Sequence, residues 1–193
     1  MIQLVVDSTA AVPKDFLEQH ANVHVIPLFI SVKGEYVPEN EATIEQVIEY
    51  SESTKKAVPT SQPSTGDFLK LFESLPKEDP IIVICITSGV SGTYNGAVLA
   101  ARQSGRKQIA VINSRTTAVG MMEVLEDGLD MIEKGLSFEE ISKGLQESAS
   151  LMRTTFTVPT LDYLRRGGRV GKAAGLIGSI LKINPVIFLN DNN

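Results

Sequence analysis

Three hydroxyl side chains and two glycines fall within one short segment, Ser88-Gly89-Val90-Ser91-Gly92-Thr93. The segment follows Ile81–Ile86, an apolar run typical of a central parallel strand, and precedes a helix predicted for 94–102. In an open α/β sheet the ligand crevice lies beyond the carboxyl ends of the strands. A helix that begins there presents unpaired N–H groups, Ser91 adds a hydroxyl, and Gly92 lets a ligand approach the backbone. The pattern therefore predicts a binding site for an anionic group.

Two other interpretations of this segment remain open. In the first, one of the hydroxyls only caps the helix, which leaves the glycines unexplained. In the second, Ser91 is a nucleophile, because a strand–turn–helix setting is also that of the α/β-hydrolase elbow. The spacing is Gly-x-Ser-Gly rather than Gly-x-Ser-x-Gly, and both histidines, His20 and His24, precede the serine. Hydrolysis is therefore disfavoured.

Two further clusters carry groups that can bind an anion. Thr60-Ser61-Gln62-Pro63 places two hydroxyls in extended backbone before a predicted helix, a pattern that also fits an N-cap or a turn. Arg165-Arg166-Gly167-Gly168-Arg169 combines three cations with glycines. It is suited to an anion or a partner protein, and a solvated charge cluster is its simpler interpretation.

Several classes of function are disfavoured by composition and motifs. Neither a P-loop nor a Gly-x-Gly-x-x-Gly fingerprint occurs in the sequence, and we predict no cofactor and no metal. The single cysteine, Cys85, excludes an internal disulfide framework and a multi-thiolate zinc site. With 18 basic and 23 acidic residues the formal net charge is −5, which argues against a nucleic-acid partner.

Short apolar runs alternate with helical patterns, which predicts an α/β fold with a mainly parallel sheet flanked by helices. Strands are predicted at 2–6, 81–86, 109–112, 155–158 and 186–189, and an extended segment at 23–32 turns at 33–35 into 36–37. Helices are predicted at 43–53, around 68–75, and at 94–102, 116–134, 137–152 and 161–165.

Two of these helices carry capping boxes. Thr43 with Gln46 and Ser137 with Glu140 have the residue types and the spacing of this motif. On the first helix, the spacing of the apolar residues predicts an inner face formed by Ile44, Val47 and Ile48.

A chain of 193 residues is long enough for one sizeable core. We predict an α/β lobe at 1–153 and the beginning of a second α/β lobe at 154–193. Because 190–193 have the composition of a turn between strands, we expect the chain to be a fragment of a longer protein.

The start of the sequence lacks a signal-peptide pattern, and no apolar run approaches the ~20 residues of a membrane span. We therefore predict a cytoplasmic protein without stable membrane insertion.

Five segments in this order resemble the motifs of a known family. They are Val6-Asp7-Ser8-Thr9-Ala10, Ile26-Pro27-Leu28, Pro59–Pro63, Thr87–Ala97 and Thr160–Leu181. Together they resemble the DegV family of bacterial fatty-acid-binding proteins. The resemblance implies two α/β lobes with a fatty acid in the cleft between them. It also implies a non-enzymatic carrier that presents the fatty acid carboxyl group to a separate ATP-dependent fatty acid kinase, a step that feeds phospholipid synthesis.

The same resemblance implies that Thr60 and Ser91 bind the carboxylate of the fatty acid. Ser61, Gly92, Arg169 and Ile26 are predicted as further ligand-binding residues. Two alternatives stay open. One is an enzyme, either a Ser-dependent hydrolase or the substrate lobe of a dihydroxyacetone-kinase-like enzyme. The other is a regulatory protein that senses a small anion.

Overall fold

A computed structural model describes residues 1–32, 34–171 and 186–189 of the chain. The strands in these ranges are β1 (Gln3–Asp7), β2 (Val23–Ile26), β3 (Phe29–Val32), β4 (Glu35–Pro38), β5 (Thr60–Ser61), β6 (Ile81–Cys85), β7 (Ile109–Asn113), β8 (Thr155–Thr157) and β9 (Val186–Phe188). The helices are α1 (Lys14–Gln19), α2 (Ile44–Thr54), α3 (Thr65–Ser74), α4 (Thr93–Gln103), α5 (Val119–Glu133), α6 (Phe138–Leu151) and α7 (Asp162–Arg166).

The central sheet, sheet A, has four parallel strands in the order β2-β1-β6-β7. All residues of β1 and β6 are buried, and their side chains alternate between two cores. Leu4 and Ile82 face a core that α5 and α6 complete, whereas Val5 and Val83 face a core that α3 and α4 complete. This arrangement confirms the predicted parallel sheet with helices on both of its faces.

The chain reverses its winding direction between β1 and β6. After β1, a 3-10 turn at Ser8–Ala10 leads to α1, whose Phe16 and Leu17 pack on the α5/α6 side of sheet A. After β6, the chain leads to α4, whose Ala97 and Ala100 lie in the opposite core. Neighbouring parallel strands that continue to opposite faces leave a crevice at their carboxyl ends.

In the described ranges, three helices begin with complete capping boxes. The predicted boxes at Thr43 with Gln46 and at Ser137 with Glu140 are both confirmed, and Ser64 with Asp67 forms a third at the start of α3. In each box the hydroxyl accepts a backbone N–H while the later side chain accepts the N–H of the cap residue, so two end groups of the helix are satisfied.

A second, smaller sheet, sheet B, lies beside sheet A. It is antiparallel, with the order β4-β3-β5. Pro27-Leu28 connects β2 of sheet A to β3 of sheet B, and the ladder of β2 ends there because a proline has no N–H group to continue it. The segment predicted as extended at 23–32 is therefore two strands of two different sheets. Of the predicted turn, Lys33 lies outside the described residues.

The predicted inner face of α2 is wrong for Ile44 and Ile48, whereas Val47 is half-buried. Ile44 is 74% exposed and Ile48 is 50% exposed, and no residue of α2 is buried. The spacing of apolar residues correctly predicts a helix, but it does not determine whether another element covers the apolar side.

The strands predicted near the carboxyl end, at 155–158 and 186–189, are present as β8 and β9, which pair antiparallel in a sheet of their own. The predicted division between residues 153 and 154 stays a prediction. Residues 172–185 of the glycine-rich segment, and the predicted turn at 190–193, lie outside the described residues. Among the helices of the described ranges, none is both long and apolar enough to cross a membrane.

Candidate functional site

Ser91 lies in the loop between β6 and α4, at the carboxyl edge of sheet A. It is half-buried, its Oγ lies 2.8 Å from Thr93 Oγ1, and it accepts the Thr93 N–H at 3.3 Å. The N-cap residue of α4 is Gly92, which offers no side chain to the helix end. The hydroxyl of Ser91 therefore accepts the first N–H of α4, as the capping interpretation predicts, and it also lies at a helix N-terminus, the setting in which a helix binds an anion.

The same loop is anchored to the neighbouring strand. Asn113, at the end of β7, accepts the Ser88 N–H at 3.2 Å and donates from Nδ2 to Ser88 Oγ at 2.9 Å. The Thr87 N–H donates to the carbonyl oxygen of Thr116 at 3.0 Å. These bonds hold the loop in place, so that the position of Ser91 depends on the ordered sheet beneath it.

Thr60 and Ser61 form the two-residue strand β5, which pairs with β3 at the edge of sheet B. Both residues are exposed, and the cap of the following helix, α3, is Ser64. The interpretation of Thr60 and Ser61 as an N-cap is therefore wrong. Ser61 Oγ bonds to the carbonyl oxygen of Gln62 at 3.2 Å, whereas the Thr60 hydroxyl has no hydrogen-bond partner in the part of the chain that the structure describes.

The Thr60–Pro63 segment and the start of α4 lie in direct contact. A Cβ atom built on Gly92 would lie 2.1 Å from Gln62 Oε1, and one built on Gly96 would lie 3.3 Å from Gln62 Nε2. Two segments that are 30 residues apart in the sequence are thus brought together at one edge of the fold, as expected for two parts of one site.

Arg169 also reaches this edge. Its Nε donates to the carbonyl oxygen of Val90 at 3.3 Å, which places a guanidinium group on the residue before Ser91. Ile26, at the end of β2, is 3% exposed and lies in the core with Phe68 and Phe72. Among the predicted residues, Ser91, Gly92 and Arg169 thus belong to one loop and its surroundings, whereas Ile26 is a core residue of β2, two strands away from β6 in sheet A.

Asp7 is a central residue that the sequence analysis did not place among the candidates. It ends β1 and is fully buried, and its carboxylate accepts the Ile86 N–H at 2.6 Å and the Thr9 N–H at 3.1 Å. It therefore ties the turn after β1 to the loop after β6 across the crevice. In the sequence, the feature that points to Asp7 is an acidic residue directly after the apolar run predicted as a strand at 2–6.

The electrostatic environment of Asp7 is unusual for a carboxyl group. Burial raises the pKa of Asp7, and the nearby charge of Glu39 adds to this rise, while hydrogen bonds from Thr9 and Ile86 oppose it.

Ser8, in the turn after β1, bonds to two distant residues. Glu39 accepts a hydrogen bond from Ser8 Oγ at 2.5 Å, and the same hydroxyl accepts the Leu28 N–H at 2.9 Å. The turn after β1 is therefore bonded to the connection between the two sheets.

Neither histidine of the chain lies beside Ser91. His24 Nε2 is 2.7 Å from Gln3 Oε1 on β1, and the ring of His20 packs against Phe16 with their centroids 4.4 Å apart. Cys85 is buried, and burial raises the pKa of its thiol well above the usual value, as expected for an unreactive core cysteine. Within the described ranges, no group of three His, Cys, Asp or Glu side chains is suited to hold a metal ion.

Fold and site together define a class of protein. It is an α/β protein whose candidate site combines hydroxyl groups, a helix N-terminus and a nearby guanidinium at the switch point of a parallel sheet. The chain belongs to the DegV family, since the model of that family, described as an uncharacterised protein of the DegV family, matches residues 1–193.

Similar proteins are found among curated sequences and solved structures. A DegV domain-containing protein of Staphylococcus aureus strain COL is 36% identical over 190 residues, which are 97% of this chain and 67% of that protein. The crystal structure of DegV from Bacillus subtilis, described as a fatty acid binding protein, superposes with a TM-score of 0.85 at 33% identity and covers 99% of this chain and 68% of that one. A stearic acid-binding protein from Eubacterium ventriosum has a TM-score of 0.85 at 32% identity, with 100% of this chain and 68% of that one covered.

Proposed function

We propose that this protein binds one long-chain fatty acid, with the carboxylate at Thr60 and Ser91. The observation that carries the proposal is the contact between the Thr60–Pro63 segment and the start of α4, made through Gln62 and Gly92. This contact brings two hydroxyl-bearing segments to a single helix N-terminus. The descriptions of the Bacillus subtilis and Eubacterium ventriosum proteins as fatty-acid binders support the choice of ligand.

The polar groups at this edge suit a carboxylate. Hydrogen bonds from hydroxyls and helix N–H groups to an ionised oxygen are charge-assisted and are stronger than neutral ones. In this proposal the Thr60 hydroxyl donates to one carboxylate oxygen, and the Ser91 hydroxyl donates to the other. Arg169, whose guanidinium lies on the backbone of Val90, adds a positive charge nearby, and Ser61 and Gly92 border the same carboxylate.

The acyl chain supplies most of the affinity. Each buried CH₂ group contributes about 0.8 kcal/mol, so a chain of sixteen carbons contributes on the order of ten kcal/mol before entropic losses. The role proposed for the polar groups is therefore orientation, with one end of the ligand fixed at a defined position.

The protein acts as a carrier and not as an enzyme. Its partner is an ATP-dependent fatty acid kinase in the cytoplasm, which phosphorylates the carboxylate held at the crevice and feeds phospholipid synthesis. Hydroxyl donors hold a carboxylate without a covalent bond, and each oxygen that accepts a hydrogen bond keeps a further lone pair, with which it can attack the γ-phosphate of ATP and release ADP. The positions of His20 and His24, on the β1–β2 side of the fold, support a carrier over a serine hydrolase, since neither imidazole can act on Ser91.

Calorimetric titration of the delipidated protein with palmitate and with hexadecanol tests this proposal. Palmitate is expected to bind at one site, and the alcohol of the same length is expected to bind at least tenfold more weakly because it lacks the carboxylate. Thr60→Val and Ser91→Ala are each expected to raise the Kd for palmitate about tenfold, the size of one lost charge-assisted hydrogen bond.

A matched control is Ser74→Ala, because Ser74 is an exposed serine at the end of α3 whose hydroxyl bonds only to Leu71 within the described chain. This variant is expected to bind palmitate like the wild type. Equal affinities for palmitate and hexadecanol would contradict a carboxylate site. Failure of palmitate to bind, together with a rise in the melting temperature caused by acetate or phosphate, would favour the small-anion sensor.

A further inference from the structure

We propose that Gln62 is a positioning residue that holds Thr60 at a fixed distance from Ser91 by occupying a groove made by Gly92 and Gly96 on α4. This inference rests on the proposed function, because it concerns the same carboxylate site. It assigns to Gln62 no contact with the ligand. Its basis is the packing of one side chain against two glycines.

At position 92 a side chain would compete with Gln62 for space, whereas the backbone conformation does not demand a glycine. The φ of −79° and ψ of 3° of Gly92 are accessible to any residue. A Cβ atom at this position would lie 2.1 Å from Gln62 Oε1, 3.1 Å from Cδ and 3.4 Å from Nε2. Gln62 is an exposed residue, but its Oε1 thus occupies the position that a Cβ at residue 92 would need, and its Cδ lies close beside it.

Gly96 extends the same groove. It lies four residues after Gly92, so the two glycines occupy the same face of α4, one helical turn apart. A Cβ atom on Gly96 would lie 3.3 Å from Gln62 Nε2 and 3.7 Å from the carbonyl oxygen of Pro63. Two glycines in successive turns therefore leave room for one amide side chain, which gives a structural reason for a glycine at positions 92 and 96.

Other contacts of the Thr60–Ser61 segment with described residues are few. β5 has two residues, both exposed, and among the described strands it is an edge strand of sheet B that pairs with β3 alone. Pro63 is buried directly after Gln62. Ser91 is held by sheet A whereas Thr60 is held by sheet B, so the contact of Gln62 with α4 links the two segments directly, next to the packing of α3 on α4.

A double-mutant cycle between Gln62 and Gly92 tests the inference, with the Kd for palmitate as the readout. Gln62→Ala removes the side chain, and Gly92→Ala expels it from the groove, so each is expected to raise the Kd about tenfold. The double variant is expected to be no weaker than either single variant, because both changes break the same contact. Additive effects, about a hundredfold in the double variant, would overturn the inference.

Gln62→Met separates positioning from ligand contact. Methionine has a similar length and fills the same groove, but it has no amide group. A Kd within threefold of the wild type is expected for this variant, whereas a loss equal to that of Gln62→Ala would show that the amide binds the ligand directly. Gly66→Ala is the control glycine variant, since a Cβ there would meet only Ser64 Oγ at an ordinary 3.5 Å.

Hydrogen exchange of the ligand-free protein provides a readout that does not depend on the proposed function. Gln62→Ala and Gly92→Ala are expected to accelerate amide exchange in residues 60–62, while exchange in β6 stays unchanged. Unchanged exchange at 60–62 in both variants would contradict the inference even if palmitate binds. If the wild type fails to bind palmitate while exchange accelerates as expected, the proposed function is wrong and the packing role of Gln62 is retained.

Discussion

The two halves of the candidate site differ in how firmly the fold holds them. Ser91 follows β6, a strand in which all five residues are buried, and its loop is bonded to Asn113 at the end of β7. Thr60 lies in sheet B, and α2, the helix that contacts β3 of this sheet, has no buried residue. One hydroxyl is therefore held by the centre of the protein and the other by its periphery.

This difference predicts that the two halves of the candidate site differ in local stability. The elements with the most buried apolar contacts have the highest local stability, and poorly covered elements open with little free energy. We therefore expect sheet B and α2 to open independently of sheet A. A ligand that bonds to both Thr60 and Ser91 would stabilise the weaker region most.

The largest change in the free energy of unfolding is expected when a core side chain beneath sheet A is truncated. Phe68 is fully buried under sheet A, whereas Ile48 on α2 is 50% exposed. Phe68→Ala is expected to lower the free energy of unfolding by about 3–5 kcal/mol because it leaves a cavity. Ile48→Ala is expected to change it by less than about 0.5 kcal/mol. Urea denaturation of both variants measures the difference, and similar losses would show that α2 is covered in solution.

An intermediate effect is expected at Asp7, which joins the turn after β1 to the loop that carries Ser91. Asp7→Asn replaces one acceptor oxygen with a donor group, so one of the N–H groups of Ile86 and Thr9 loses its partner. We expect a loss of about 1–3 kcal/mol in the free energy of unfolding.

The pH dependence of this loss has a defined sign. Because burial raises the pKa of Asp7, the folded protein retains its proton to higher pH than the unfolded chain does. The contribution of this group is complete below its ordinary pKa of 3.8 and decreases as pH rises through the raised folded value. Urea denaturation of wild type and Asp7→Asn from pH 4 upward is therefore expected to show a difference that shrinks with pH. A difference that grows with pH would contradict a pKa of Asp7 that burial raises.

The smallest effects are expected at two capping boxes of the same type. Ser64 caps α3, which packs in the core, and Thr43 caps α2, which does not. Ser64→Ala is expected to lower the global free energy of unfolding by about 1 kcal/mol. Thr43→Ala is expected to accelerate amide exchange within α2 while leaving the global value nearly unchanged. Equal global losses would indicate that both helices unfold with the core.

Much of the fold could be predicted because the signals are local. The apolar run at Ile81–Ile86 determines a buried strand, and the Ser137–Glu140 box determines where α6 begins, since both depend on residues close together in the chain. The burial of α2 could not be predicted in this way. Periodicity shows which side of a helix is apolar, but a covering element comes from distant parts of the chain.

The candidate site shows the same limit. Ser91 and Gly92 were identifiable because the loop after a central strand has a known place in an α/β sheet. The role of Asp7 depends on a bond to Ile86, which is 79 residues away, and the place of Gln62 depends on two glycines in another helix. Neither contact has a local pattern, so the sequence alone indicated which segments matter but not how they fit together.

The central claim is that a fatty acid lies with its carboxylate between Thr60 and Ser91. Native mass spectrometry of the purified protein, followed by organic extraction and identification of the lipid, tests it most directly. We expect one long-chain fatty acid per protein in the wild type and in Ser74→Ala, and loss of that mass in the Thr60→Ala/Ser91→Ala double variant while the protein remains folded. A wild type without bound fatty acid that also gains no thermal stability from palmitate or oleate would contradict the account, and a double variant that keeps its lipid would place the carboxylate elsewhere.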